Sequence, residues 1–214
     1  SYADGDASYS RGSGDNHSRA MNFYVTEMGN KGHYLDVVLR FHHIDTNFKM
    51  FDENGKKIRG DMHNVGISLS SEYGRKKMID DKGWYIEPQG QLTIGYLGGD
   101  NYTTSNGIAV RQGGIRSALG RIGFNLGKDI DEKTNIYLKA NLLHEFGGGY
   151  DVTMTDSSGR VKVSDSFNDT WFEYGVGAAL AVGKNSQLYF DVERSTGSAF
   201  KKDWQWNVGA RWNF

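Results

Sequence analysis

The 214-residue chain has no cysteine and a single proline, and its charges nearly cancel, with 25 Lys and Arg against 26 Asp and Glu. Without cysteine it can build no disulfide framework, zinc–thiolate cluster or thiol nucleophile. A formal net charge of −1 gives electrostatics little hold on nucleic acid or an anionic membrane surface. No run approaches the roughly 18 apolar residues that a transmembrane helix requires. Helix-period stripes of useful length, linkers and low-complexity tracts are also lacking, so residues 1–214 read as one unit. The chain starts at Ser1 rather than Met and shows no signal peptide, so upstream sequence is expected to have been removed. Aliphatic bulk is scarce too, at 37% hydrophobic residues and a mean hydropathy of −0.61.

What the chain has instead is 29 Gly, 12 Tyr, 11 Phe and 5 Trp, a ring-rich composition that favours strands. The rings sit in a strict two-residue alternation. In the closing stretch WQWNVGARWNF, Trp204, Trp206, Val208, Ala210, Trp212 and Phe214 alternate with Gln205, Asn207, Gly209, Arg211 and Asn213. A strand with one apolar and one wet face produces this pattern. About nine such segments recur, near 19–28, 33–44, 62–74, 83–97, 115–127, 135–146, 169–182, 187–194 and 204–214.

Most segments run to about 10–14 residues, longer than the usual strand of a soluble sandwich and long enough to cross a bilayer when tilted. Their connections alternate in length. GNKG, RKKMIDDKG, KDIDEKTN and GKNS are short, whereas residues 45–61, 98–114 and 147–168 are long and polar. Short turns at one end and long loops at the other describe an all-β, antiparallel outer-membrane barrel with its apolar face on lipid and its polar face on a lumen. Aromatic residues fall into two expected belts. Tyr34, Tyr73, Trp84, Tyr85, Tyr137, Tyr189, Trp212 and Phe214 lie at the periplasmic end. Tyr96, Phe146, Trp171, Phe172, Trp204 and Trp206 lie at the outer end.

The alternation assigns Asp36, Arg40, Glu72, Glu87, Arg121, Lys139, Glu173, Asp191, Glu193 and Arg211 to the lumen, as a solvated and mutually paired interior. Pro88 lacks a ladder donor and is expected at an irregularity of its strand. Nine antiparallel strands would leave the first and last running parallel, whereas single-chain bacterial barrels are usually even-stranded. Residues 1–9 are expected to supply only the tail of a preceding strand before the turn at Asp4-Gly5-Asp6, and the chain reads as the C-terminal part of a larger barrel.

Nearly the whole chain, most densely from GWYIEPQGQLTIGY onward, resembles the translocator, or β-domain, of type V autotransporters. SALGRIGFNLGK, NIYLKANLLHEFGG, DTWFEYGVGAAL, LYFDVERSTG and DWQWNVGARWNF look like that family's successive closing strands. The resemblance implies a twelve-stranded barrel in the bacterial outer membrane, with about its first three strands missing here. It also implies a helix through the pore and an N-terminal passenger exported to the cell surface. Asn207, Gly209, Trp212 and Phe214 resemble the family's assembly signal, which implies the outer-membrane assembly machinery as a partner. No cofactor, metal or nucleic acid is implied.

His42, His43 and Asp45 raise a different class of function, because some outer-membrane barrels are proteases that activate water with His and acidic residues. No second acid pair matches this HHID cluster, and rim histidines are the simpler reading. His17, His33, His63 and His144 are scattered without metal-ligand spacing. The expectation is therefore a translocator without catalysis, with a stand-alone small barrel, porin or surface protease, as the alternative.

Overall fold

A period of two that switches its apolar members to one side can only be satisfied by strands, and strands account for nearly all of the chain. The computed structural model describes residues 2–183, 185–197 and 203–212. In chain order its strands are β1 (Tyr2–Tyr9), β2 (Gly12–Met28), β3 (His33–Phe51), β4 (Lys57–Arg75), β5 (Lys77–Met78) and β6 (Trp84–Leu97). There follow β7 (Asn101–Thr103), β8 (Ala109–Gln112), β9 (Ile115–Asp129), β10 (Asn135–Glu145) and β11 (Gly149–Asp156). The last are β12 (Gly159–Ser166), β13 (Asp169–Ala181), β14 (Ser186–Thr196) and β15 (Gln205–Trp212). Among the described residues one 3-10 turn is present, at Asn30–Gly32.

Eleven strands make one antiparallel sheet in the order β1-β2-β3-β4-β6-β9-β10-β13-β14-β15, with β5 beside β6. The sheet curls into a half-barrel. Among the described residues β1 pairs only with β2, and β15 only with β14. All nine expected segments contain strands, the ninth over Gln205–Trp212, with Asn213 and Phe214 outside the described residues. The N-terminal reading needs correction: Asp4-Gly5-Asp6 lies inside β1, paired with Asp15 to His17 of β2, and the turn falls at Ser10–Arg11. Polar residues dominate this stretch, so hydrophobic alternation could not reveal its strands.

Burial is inverted relative to a soluble fold. On the convex face Leu92, Ile94 and Val176 are each at least half exposed, and Val208 is 73% exposed. The concave face holds the buried polar residues, Asn141, Glu145 and Glu173 among them. An apolar exterior around a polar interior is what hydrocarbon surroundings demand. Pro88 sits where the β4–β6 ladder ends at Gly74–Gln89 and resumes as the β5–β6 pair Lys77–Ile86. Its missing N–H falls in that gap.

The belts also need correction. Tyr73, Trp84, Tyr96, Trp206 and Trp212 are exposed as expected. Tyr34, Tyr85, Tyr137 and Tyr189 instead belong to the concave set, each directly opposite a glycine: Gly74, Gly127, Gly177 and Gly209. A Cβ built on any of the four glycines would fall against the opposing tyrosine ring. Each ring therefore lies flat over bare backbone, an arrangement that pins register across a strand pair.

The long connections are not loops. Residues 45–61 continue β3 and β4 into a hairpin closed by Asp52, whose carboxylate accepts from the Asn54 and Lys56 amides at 2.9 and 2.8 Å, with Gly55 at φ 75°. The other two long connections pair with each other as a four-stranded sheet, β12-β11-β8-β7. That sheet docks on the hairpin through Ser105, which donates its amide to the Arg59 carbonyl and accepts the Arg59 amide at its hydroxyl, both at 2.9 Å. Phe48 and Tyr102 meet edge-on there with ring centroids 6.0 Å apart.

Candidate functional site

Alternation brings the polar side chains of successive strands into rows across the concave face, and two cations organise them. Arg121 of β9 pairs with Glu72 of β4 at 2.6 Å, donates to Gln91 at 2.8 Å and reaches Asn141 at 3.4 Å. Glu72 also accepts from the Tyr34 hydroxyl at 2.8 Å. Lys139 of β10 pairs with Asp191 and Glu193 of β14, at 3.1 and 2.7 Å. Asn207 of β15 donates to the same Asp191 carboxylate at 2.8 Å.

Each cation crosses a strand to reach its partner. Gln91 of β6 lies in register between Arg121 and Glu72. Gly175 of β13 lies between Lys139 and Glu193, and a Cβ there would come within 2.9 Å of the lysine Cε. The glycine lowers the floor so that the ammonium can span two ladders. At the outer end Glu145 accepts from the Ser117 hydroxyl at 2.5 Å and from the Ala118 and Gly147 amides at 2.8 Å each. The Trp171 indole donates to Glu173 at 3.1 Å, so this expected belt residue also turns inward. A trough of about 1000 Å³ runs past Gln91, Arg121, Lys139, Glu145, Trp171 and Glu193.

The remaining sequence-predicted residues divide. Glu87 accepts from Gln89 at 2.7 Å and Asn125 at 3.2 Å. Arg40 is exposed and donates to Asn22 at 2.5 Å. Asp36 lies directly opposite Glu72, and its buried Oδ1 has no partner among the described residues. The side chain of Arg211 and all of Phe214 lie outside the described residues. Tyr34, Gln91, Asn141 and Glu145 were missed as site members. Glu145 and Gln91 were visible in the alternation, but their partners are set by register.

Gly209 has a geometric role of its own beneath the Tyr189 ring. Gly209→Ala is expected to cost about 1–3 kcal/mol by overpacking, read from denaturant unfolding in detergent. Adding Tyr189→Ala should recover most of that loss. Equal losses in the single and double variants would show that the ring is not what the glycine accommodates.

The histidines, read in sequence as scattered, yield a further correction. Asp4, His17, Asp45 and His63 form one cross-strand row through β1, β2, β3 and β4. His17 meets Asp4 at 2.5 Å, and His63 meets Asp45 at 2.7 Å. His43 also reaches Asp45, at 3.1 Å, and the His63 amide donates to Asp100 at 2.7 Å. From Tyr34 to Asp45 is eleven residues of β3, or about 28 Å of height at the usual rise and tilt, beyond an apolar band of about 25 Å. The row therefore stands outside hydrocarbon. Among the described residues no His, Asp or Glu group could hold a metal ion.

Hydrogen bonding to Asp45 raises the His63 pKa above the ordinary imidazole value, and Asp4 does the same for His17. Both carboxylates are correspondingly lowered by their histidines. Asp15, Asp61 and Asp100 add charge that favours the imidazolium forms. A histidine raised on folding contributes stability below its unfolded pKa, and that contribution is lost as pH rises through the folded one. Amide protection factors around Asn16, Asp45 and His63 are expected to fall between roughly pH 6 and 8. In His17→Gln/His63→Gln they should not change over that range; persistence of the fall would exclude the two imidazoles as its source.

Comparison with known proteins accords with this geometry. The family model described as "Autotransporter beta-domain" matches residues 1–193. The pertactin autotransporter of Bordetella parapertussis is 32% identical over 219 aligned positions, covering all of this chain and 23% of that protein. The chain thus spans about a quarter of that relative. The crystal structure of the β domain of the Bordetella autotransporter BrkA superposes with a TM-score of 0.71 at 23% identity, covering 100% of this chain and 88% of that one. The translocator domain of NalP from Neisseria meningitidis gives 0.74 at 12% identity, covering 100% and 71%. The two structures share the fold.

Proposed function

Because the chain belongs to the autotransporter β-domain family, an outer-membrane β-barrel family of Gram-negative bacteria, we propose that it anchors and exports an N-terminal passenger to the cell surface. The observation that carries this reading is the inverted face chemistry. An exposed apolar convex face requires lipid, and a trough of paired polar groups supplies a wet path along the same sheet. Further strands of the same protein would pair with the open edges of β1 and β15 and close the pore. The lumen-facing groups Glu72, Glu87, Arg121, Lys139, Glu173, Asp191 and Glu193, with Asp36, Arg40 and Arg211, would line it and receive the pore helix.

The chain conducts without catalysis in this reading. Paired charges on the concave face support it, since Arg121, Lys139, Asp191 and Glu193 are each engaged by neighbours. Insertion would use the outer-membrane assembly machinery, reading Asn207, Gly209, Trp212 and Phe214. The test is protease shaving of intact cells making the full-length protein with an epitope in its passenger. Surface cleavage that disappears when residues 1–214 are deleted is expected. A surface-exposed passenger without this segment would overturn the proposal.

A further inference from the structure

The four-stranded outer sheet has two faces of opposite chemistry. Register aligns Asn101, Arg111, Thr153 and Lys162 in one row, and Thr103, Ala109, Thr155 and Arg160 in the next. The other face carries Tyr102, Val110, Met154 and Val161, on the alternate positions of the same strands. A groove of about 400 Å³ is lined by Arg111, Arg160, Asn101 and the three threonines of the polar rows, with Tyr102, Ala109 and Val110 also in its wall and no carboxylate among them.

Among the described residues neither Arg111 nor Arg160 has an ion-pair partner. Lys162, beside them, is held loosely by Asp151 at 3.8 Å. Two cations of the concave face, Arg121 and Lys139, are by contrast matched with carboxylates within 3.1 Å. Two guanidinium forks sharing one groove repel each other unless an anion joins them. Guanidinium geometry suits phosphate, which accepts two parallel N–H bonds from each fork. Thr153 is only 7% exposed and forms the floor. Threonine hydroxyls and the Asn101 amide can both donate and accept, as the hydroxyls of a sugar require.

We propose that this groove binds a phosphate-bearing saccharide, the two arginines taking the phosphate and the threonine–asparagine floor taking the sugar hydroxyls. The proposal rests on the outer sheet standing outside the membrane, as the translocator reading places it. Such a group reaches that side either as a free sugar phosphate or as the headgroup of lipopolysaccharide.

The test is calorimetric titration of the full-length protein in detergent with glucose 6-phosphate, with glucose, and with vesicles containing or lacking lipopolysaccharide. Saturable binding of glucose 6-phosphate and not glucose is expected, weakened about tenfold by either Arg111→Gln or Arg160→Gln. The control Lys77→Gln/Lys82→Gln removes two charges at the opposite end and should change nothing. Binding of lipopolysaccharide vesicles in competition with the sugar phosphate would assign the lipid headgroup as ligand; sugar-phosphate binding alone would assign a free solute. Failure of glucose 6-phosphate to bind, or undiminished binding by Arg111→Gln/Arg160→Gln of native heat-modifiable mobility, would overturn the site. Protease cleavage at residues 157–158 in intact cells reports the sheet's location separately, so loss of the translocator reading and loss of this site are distinguishable.

Discussion

Val208→Arg is expected to destabilise the folded protein by about 2–4 kcal/mol, the cost of a cation on the lipid face near the bilayer midplane. Val208 is 73% exposed and lies between Trp206 and Trp212, themselves 63% and 61% exposed. Its cross-strand partner Phe190 packs against Trp206 with ring centroids 5.6 Å apart. Among the described residues no carboxylate ion-pairs with a group on that surface. The comparison is Asn207→Ser, one residue along and on the other face. The sequence alone makes that change nearly neutral. The hydrogen bond from Asn207 to Asp191 raises its expected cost to about 1 kcal/mol. Denaturant titration in lipid vesicles measures both. Equal effects would mean that the two faces of β15 are wrongly assigned.

Truncation after Asn213 is expected to lower outer-membrane insertion in cells sharply while leaving refolding into detergent nearly intact. Phe214 lies outside the described residues. Removing one terminal aromatic ring forfeits at most roughly 1.5–3 kcal/mol of apolar burial. A sheet held by continuous ladders from β1 to β15 should survive that. If the last strand is read by pairing with an edge of the assembly machinery, the ring acts before the barrel exists. Strand addition takes affinity from main-chain hydrogen bonds and specificity from side-chain pockets. Heat-modifiable gel mobility reports folding in both settings. Equal losses in cells and detergent would make Phe214 a stability residue and end the recognition hypothesis.

The same contrast runs through the whole chain. Gly209 was legible in the sequence as a member of the terminal motif, yet its physical task, making room for Tyr189, was not. Nothing local marks Tyr189 and Gly209 as opposite, because twenty residues and a hairpin separate them. His17, Asp45 and His63 lie in three different strands and read in sequence as unrelated. Residues 98–114 and 147–168 looked like loops because their strands are short and polar, and only pairing with each other makes them a sheet.

By itself, the sequence determined what a period of two can determine: which side chains share a face, that the apolar face is too continuous and too aromatic for water, and roughly where each long strand begins. Asp191, Glu193 and Lys139 were inward for that reason alone. Tertiary structure decided which of these meet. Register aligns residues more than fifty positions apart, and a one-residue slip would exchange lumen for lipid along an entire strand. The ion pairs of Arg121 and Lys139, the tyrosines over glycines and the arginine groove all depend on that alignment, which the hydrogen-bonded ladders of the sheet supply.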